Sequence, residues 1–212
     1  MAHKETATEI LNAAEALFAE RGFAETSLRN ITTKADVNLA AVNYHFGSKK
    51  SLIHAVFARF LTPFTRDLED GLLSYEAVLQ GKTPDLAQLL TILTQTALKT
   101  HEARDNNLDV FMRLLGLAYS QGQGHLRKYL KVEYGGVFSR YMSLMQQASP
   151  ELNDEQRFWR IHFMLGATIF SISGINSLTA MIEHDLGKKT SVEALIAELL
   201  PFITAGFKAE SL

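Results

Sequence analysis

The sequence predicts an all-α chain: a compact three-helix block of about 46 residues, then a connecting helix and a larger helical body. Three observations carry that expectation. Apolar residues recur at helical spacing almost throughout, no stretch alternates apolar and polar residues as a half-buried strand would, and breaker-rich segments divide the chain at ordinary connection lengths.

The first stripe is Ile10, Leu11, Ala14, Leu17 and Phe18, with Gly22 placed to stop that helix in a left-handed cap. Thr26 is expected to cap a second helix that turns Leu28 and Ile31 inward. Ala35-Asp36-Val37-Asn38 then forms a tight turn, in which Asp36 suits a left-handed conformation and Asn38 caps the third helix. Around Val42, helical geometry puts Leu39 and Phe46 on one face, packing on Leu28 and Ile31, and turns Ala40, Ala41, Asn43 and Tyr44 away. After Ser48 a longer helix carries Leu52, Ile53, Val56, Phe57, Phe60 and Phe64, with Pro63 expected to bend or end it. The boundary is drawn between residues 1–52 and 53–212.

Beyond it, QGKTPD (80–85), HEARDNN (101–107), SQGQG (120–124), ASPELND (148–154) and DLGKKTS (185–191) separate about five more helices. Phe158 to Ile182 reads as one long helix, apolar on more than one face. A final helix repeats Val192, Leu195, Ile196, Leu199, Leu200, Ile203 and Phe207 at helical spacing, interrupted by Pro201. Two such helices from each of two protomers would make a four-helix interface. Its candidates are Trp159, Phe163, Phe170 and Gly174 on one helix and Ile196, Leu200, Ile203 and Phe207 on the other. The alternative is a monomer with a larger core.

Of the 212 residues, 47% are hydrophobic and 21% charged, enough for one or two globular domains. With no cysteine there are no disulfides, thiolate zinc sites or cysteine nucleophiles, and a cytoplasmic location is expected. The N-terminus MAHKETATEI has no apolar core of the secretory kind. Residues 161–182 contain no Asp, Glu, Lys or Arg and are long enough to suggest a membrane span, but His162, Thr168, Ser171, Ser173, Asn176, Ser177 and Thr179 would all need partners in lipid. A helix buried in protein is therefore expected there, with no membrane partner.

No HExxH, GxSxG or glycine-rich phosphate loop appears, so neither an enzyme nor a cofactor is predicted. His101-Glu102 and Glu183-His184-Asp185 offer metal-ligand atoms, but adjacent helical residues point apart, which makes them solvated charge. The net charge of −2 hides an asymmetry: residues 21–59 hold six basic and two acidic side chains, +4 locally. Such an island is the footprint of a local nucleic-acid site. Small residues at Ala40 and Ala41 let a helix N-terminus approach base edges, Asn43 and Tyr44 supply hydrogen bonds and stacking, and Lys49 begins the next helix where phosphate is favoured. Double-stranded DNA is the partner this surface fits. A plain helical hairpin facing solvent, or a helical interaction protein without DNA, would present similar spacing.

Thr26-Ser27-Leu28-Arg29-Asn30-Ile31, Ala35-Asp36-Val37 and Val42-Asn43-Tyr44-His45-Phe46-Gly47-Ser48-Lys49-Lys50-Ser51-Leu52 resemble the N-terminal DNA-binding domain of the TetR family of bacterial regulators. Asp36 stands where most members have Gly, and Asn43 where many have Tyr. The resemblance implies a helix-turn-helix domain followed by a ligand-binding and dimerisation domain. It also extends the DNA-contacting set to Thr26, Ser27, Arg29, Asn38, Leu39 and His45. FMRLLGLAYSQGQGHLRKYL (111–130), FWRIHFMLGATIFSISG (158–174) and LLPFITAGFKAES (199–211) are similar to the PsrA-type subgroup, whose members respond to fatty acids. That implies a homodimeric repressor on a pseudo-palindromic operator, released by a long-chain fatty acid or its coenzyme A thioester; the alternative is a TetR-type regulator responding to a different hydrophobic ligand.

An alkyl chain would lie among flexible or flat apolar side chains, for which Phe60, Phe64, Met112, Tyr119, Phe138, Tyr141, Met145 and Ile169 are the candidates. Most of these also suit plain core. Arg113 lies in the apolar run FMRLLGLA, where a buried guanidinium needs an anionic partner such as an acyl head group. Solvent or a local carboxylate would serve it equally. His162 and Arg140 are weaker candidates for the same role.

Overall fold

The computed structural model describes residues 2–103 and 108–210, with side chains from Glu5 onward. Among the described residues ten helices occur in order: α1 Ala2–Glu25, α2 Leu28–Lys34, α3 Leu39–Phe46, α4 Lys49–Leu79, α5 Leu86–Glu102, α6 Leu108–Ser120, α7 Gly124–Gln147, α8 Asp154–Ser173, α9 Ile175–Leu186 and α10 Val192–Lys208. No strand occurs among the described residues, so the all-α expectation is met, with a helix-turn-helix domain first and a larger helical domain after it. The breaker segments fall at helix ends; residues 104–107 of HEARDNN lie outside the described residues.

Packing divides the chain into two units, Met1–Thr62 with Arg113–Tyr134, and Pro63–Met112 with Gly135–Leu212. In the first, α1, α2 and α3 pack on one another around Ile10, Ala14, Leu17, Phe18, Ile31 and Val42, all buried. Phe18, Phe23 and Phe57 continue that core as a row of rings with centroids 5.4 and 6.2 Å apart. Each fully buried ring of this kind contributes on the order of 2–3 kcal/mol.

Gly22 interrupts α1, though not as the expected left-handed cap. Its φ of 82° and ψ of 171° form a mirror-image extended conformation that a Cβ would strain. The kink frees the Phe23 N–H, which donates to the Gln121 side-chain oxygen at 3.0 Å. The expected cap also shifts by one residue. Thr26 is fully buried and donates its hydroxyl to the Gly22 and Leu17 carbonyls, at 2.8 and 3.1 Å. Ser27 caps α2 instead, in a reciprocal box with Asn30.

In the second unit α10 packs on α5 and α8, and Ile196, Ile203 and Phe207 are buried with Leu86, Leu89 and Leu90. Tyr141 is buried and its hydroxyl donates to the Leu89 carbonyl at 3.3 Å. His101 is no surface group: it is buried, and its Nδ1 accepts the Leu108 N–H at the start of α6. Neither proline ends its helix, since α4 continues through Pro63 and α10 through Pro201. A proline inside a helix removes one hydrogen bond, and neighbouring buried side chains such as Leu61, Phe64 and Ile203 hold these turns in place. One break was not expected: α8 ends at Gly174, and α9 departs at 71°. Residues 158–182 are therefore two helices.

Replacing Gly22 with Ala should cost about 2 kcal/mol or more, because the new Cβ meets a Gln121 atom at 2.5 Å in a conformation few L-residues adopt. Gly136→Ala meets open space and should be neutral or stabilising by up to about 1 kcal/mol. Urea melts of both variants measure the contrast; equal stabilities would contradict the strained joint.

Candidate functional site

The turn between α2 and α3 is built from two side chains. Asp36 adopts φ 52°, the left-handed region that Asp tolerates better than most residues. Asn38 caps α3, its side-chain oxygen accepting the Ala41 N–H at 2.8 Å. Val42 alone anchors α3 completely, with Phe46 half-buried beside it. Leu39 departs from the expected packing face and is exposed, at the N-terminal end of α3 beside exposed Ala40.

Asn43 and Tyr44 point outward, and Tyr44 is 74% exposed with its ring edge-on to His45 at 5.2 Å. Gly47 closes the helix at φ 71°, and the Ser48 hydroxyl accepts the Ser51 N–H to begin α4. Ser27 and Arg29 are exposed at the start of α2, while Ala41 and His45 are half-buried on α3. The structure thus brings Ser27, Arg29, Asn38, Leu39, Ala40, Ala41, Asn43, Tyr44 and His45 onto the helix-turn-helix and its approaches. Thr26 is the exception. Buried and committed to two carbonyls, its side chain holds the α1–α2 joint and cannot meet a phosphate. Lys49 is half-buried and donates to the Ala24 carbonyl at 3.4 Å, whereas Lys50, not singled out from sequence, is exposed. Two adjacent lysines lie about 100° apart on a helix, so the sequence alone does not say which one faces outward.

The residues expected to line a ligand pocket separate. Phe60, Phe64, Met112, Tyr141 and Met145 are buried, Phe138 and Ile169 half-buried, and Phe64 stacks with Phe138 at 6.5 Å. Tyr119 is exposed. Arg113 is exposed too, which removes the premise of a buried cation awaiting an anion. Arg140 is engaged by Glu69 and Glu76, each at 3.7 Å, and His162 Nδ1 by its own turn at the Phe158 carbonyl. Among the described residues no group of three or more His, Asp or Glu side chains is placed to hold a metal.

The expected interface splits in the same way. Phe163 and Phe170 on α8 are 67% and 71% exposed and Trp159 is half exposed, together with the unpredicted Phe158 on α8 and Phe202 on α10. Gln156, Trp159, Arg160 and Phe163 line an open depression of about 420 Å³. Ile196, Ile203 and Phe207, in contrast, face their own core, Leu200 is half-buried, and Gly174 ends a helix. Nor is 161–182 buried on all sides within one protomer. No single helix among the described residues is long and apolar enough to cross a membrane, and the α8–α9 pair that has the length is sharply bent.

Residues 10–56 match the family model described as bacterial regulatory proteins, tetR family, and residues 91–206, more than half the chain, match the model of the tetracyclin repressor-like C-terminal domain. The chain is 48% identical over 63 residues to the HTH-type transcriptional repressor Rv3405c of Mycobacterium tuberculosis, a match covering 30% of this chain and 34% of that protein. It is 39% identical over 54 residues to the HTH-type transcriptional repressor KstR2 of Rhodococcus jostii, covering 26% of each. The chain thus spans about a third of the length of the curated relatives it matches, or less. Among solved structures, Mycobacterium smegmatis AmtR superposes with a TM-score of 0.58 at 20% identity, over 96% of this chain and 86% of that one. Salmonella enterica GusR does so with a TM-score of 0.51 at 19% identity, over 97% and 96%. These two likenesses concern the fold.

Thr26→Val, nearly isosteric, should destabilise by about 1–2 kcal/mol through the lost hydrogen bonding of a buried hydroxyl, and Ser27→Ala by about 1 kcal/mol through a lost cap. Chemical denaturation reads both; a stable Thr26→Val protein would return Thr26 to the surface.

Proposed function

The chain belongs to the TetR family of bacterial regulatory proteins, and from that premise we propose that it is a ligand-responsive repressor that binds a pseudo-palindromic operator as a homodimer. One observation carries the DNA half. A short helix, capped by Asn38 and anchored by Val42, turns Leu39, Ala40, Asn43 and Tyr44 outward, with Arg29 on α2 and Lys50 on α4 also exposed. In this reading residues 1–52 are the DNA-binding domain. Ser27, Arg29, Lys49 and Lys50 hold phosphates, and the outward residues of α3, with His45, meet base edges. A regulator of this kind works in the cytoplasm, where the chromosome is.

The dimer half rests on Trp159, Phe163, Phe170 and Phe202, a cluster of exposed large side chains rare on a monomer. The effector half rests on the similarity of 111–130, 158–174 and 199–211 to the PsrA-type subgroup and on the apolar character of Phe64, Phe138 and Met145. A long-chain fatty acid or acyl thioester is the effector, and it releases DNA by favouring a conformation in which the two recognition helices no longer match the operator.

Duplexes enriched from a random pool should show two-fold symmetry. Tyr44→Ala should weaken binding to them by about tenfold or more, and Lys50→Ala should lower the salt slope by about one. Wild-type binding by both variants would refute the recognition surface. Phe163→Glu should shift the protein to a monomer in sedimentation and lose operator binding; a dimeric variant would refute this interface. Across a chain-length series of fatty acids, release should grow with length, and equal release by all lengths, or none, would remove the acyl effector.

A further inference from the structure

Within the first unit, α4 and α7 meet at a pair of imidazoles that have no part in the recognition surface. His54 Nε2 lies 2.9 Å from His125 Nδ1, and the His54 ring stacks flat on Tyr129, centroids 4.2 Å apart and planes within 4°. The other nitrogen of His125, Nε2, is 2.9 Å from the Gln123 side-chain oxygen, while the Gln123 amide nitrogen is turned to the Gln121 carbonyl at 3.5 Å. That orientation makes the Gln123 oxygen an acceptor, so His125 carries its proton on Nε2 and leaves Nδ1 bare. His54 must then donate its Nε2–H across the pair. About two turns further along α4, the Thr62 and Tyr134 hydroxyls are hydrogen-bonded at 2.9 Å, a second clasp between the same helices.

The pair accommodates one added proton and not two. The first enters at His54 Nδ1, away from the contact, and leaves the Nε2–H···Nδ1 bond intact with the charged ring over Tyr129. A second has only His125 Nδ1 to occupy, which sets two N–H donors against each other between two cations. Burial holds both imidazoles below the ordinary histidine value of 6.5, and for His125 the His54 and Lys50 charges act in the same direction. Lys50 on α4 thus faces His125, while Tyr134 and Glu133 on α7 act on Tyr129 beneath the His54 ring. Burial and the Tyr134 hydrogen bond push the Tyr129 phenol far up, out of the acid range.

We propose that the His54–His125 pair is a proton-operated latch: neutral, it holds the first turns of α7 on α4, and doubly protonated it opens and lowers DNA affinity. α4 starts at Lys49, directly after α3, so His54 sits about one turn from the DNA-facing end of that helix. Because the folded-state values are depressed, the unfolded chain binds these protons more readily. The latch's stabilisation is therefore complete above about pH 6.5 and declines as pH falls below it. Only the effect on DNA rests on the proposed regulator function; the opening of the latch does not.

Hydrogen exchange of the full-length protein, corrected for the intrinsic pH dependence, tests the latch itself. Peptides spanning 121–130 should lose protection about tenfold between about pH 7.5 and about pH 5. The doubly substituted His54→Gln/His125→Gln protein, whose amides keep a donor facing an acceptor without titrating, should change less than about twofold. Equal pH dependence in the two proteins overturns the latch. Should the double variant not fold, the ring resonances of His54 and His125 in the wild type decide: two steps, with His125 the lower, support it, and joint titration at the ordinary value overturns it. Duplexes enriched at about pH 7.5 should lose affinity for the wild type about fivefold more than for the variant on acidification, with His45 common to both. Opening without that difference overturns the regulatory role, and a pool that yields no enriched duplex overturns the DNA-binding reading while leaving the exchange result intact.

Discussion

The kink at Gly22 is the constraint on which the DNA-binding unit depends. A straight α1 would carry Phe23 past Phe57 and point the chain away from α2; the extended, glycine-only backbone at this position turns it back. Turning exposes one backbone N–H and redirects carbonyls that a continuous helix would have used. Each finds a partner: Gln121 takes the Phe23 N–H, and Thr26 reaches the Leu17 and Gly22 carbonyls. Unmet buried backbone groups cost about 1–3 kcal/mol each, so both side chains stabilise the joint. One of them arrives from about a hundred residues away, which ties the α6–α7 turn to the α1 kink.

Much of this architecture was legible because local chemistry decides it. Segments rich in Gly, Pro, Asp, Asn and Ser ended helices where expected, and Asp36 and Asn38 took their turn and cap roles because those roles use atoms within a few residues. The misread positions depended on distant partners. Thr26 and Ser27 are both hydroxyl residues suited to a cap, and only the Leu17 carbonyl, across the α1 kink, assigns the first to the interior. Pro63 and Pro201 could each end a helix by sequence, and both helices nevertheless run on past them. Arg113 lies in an apolar run yet on the outward side of its helix, a matter of phase that such a short run does not determine. The break at Gly174 was hidden by the reverse effect. An uninterrupted, charge-free composition reads as continuity, although Gly174 allows the chain to turn.

The break also divides the apolar run between two helix directions. With α9 leaving at 71°, the second half of the apolar run serves a different direction from the first, and Phe163 and Phe170 stay uncovered while Ile172 and Ile175 are buried. α10 supplies the complement: Ile196, Ile203 and Phe207 turn inward as Phe202 turns out. Each helix satisfies its own fold with one stripe and leaves another unpartnered. Arg160 braces the arrangement, its guanidinium donating to the Phe207 and Ala209 carbonyls at the end of α10.

The left-handed turn at Asp36 has a consequence for how such a domain changes over generations. A residue with positive φ at this position filters substitutions by backbone chirality before any question of DNA contact arises, and it passes chiefly Gly, Asn and Asp. An aspartate codon reaches those of the other two by single-base changes, so the turn has a small neighbourhood of permitted mutational steps. Most other single-base neighbours of an aspartate codon, including those for Val, Ala and Tyr, carry a backbone penalty. Drift at this position is thereby channelled, and the relative angle of α2 and α3 is held while the outward residues of α3 are free to diversify.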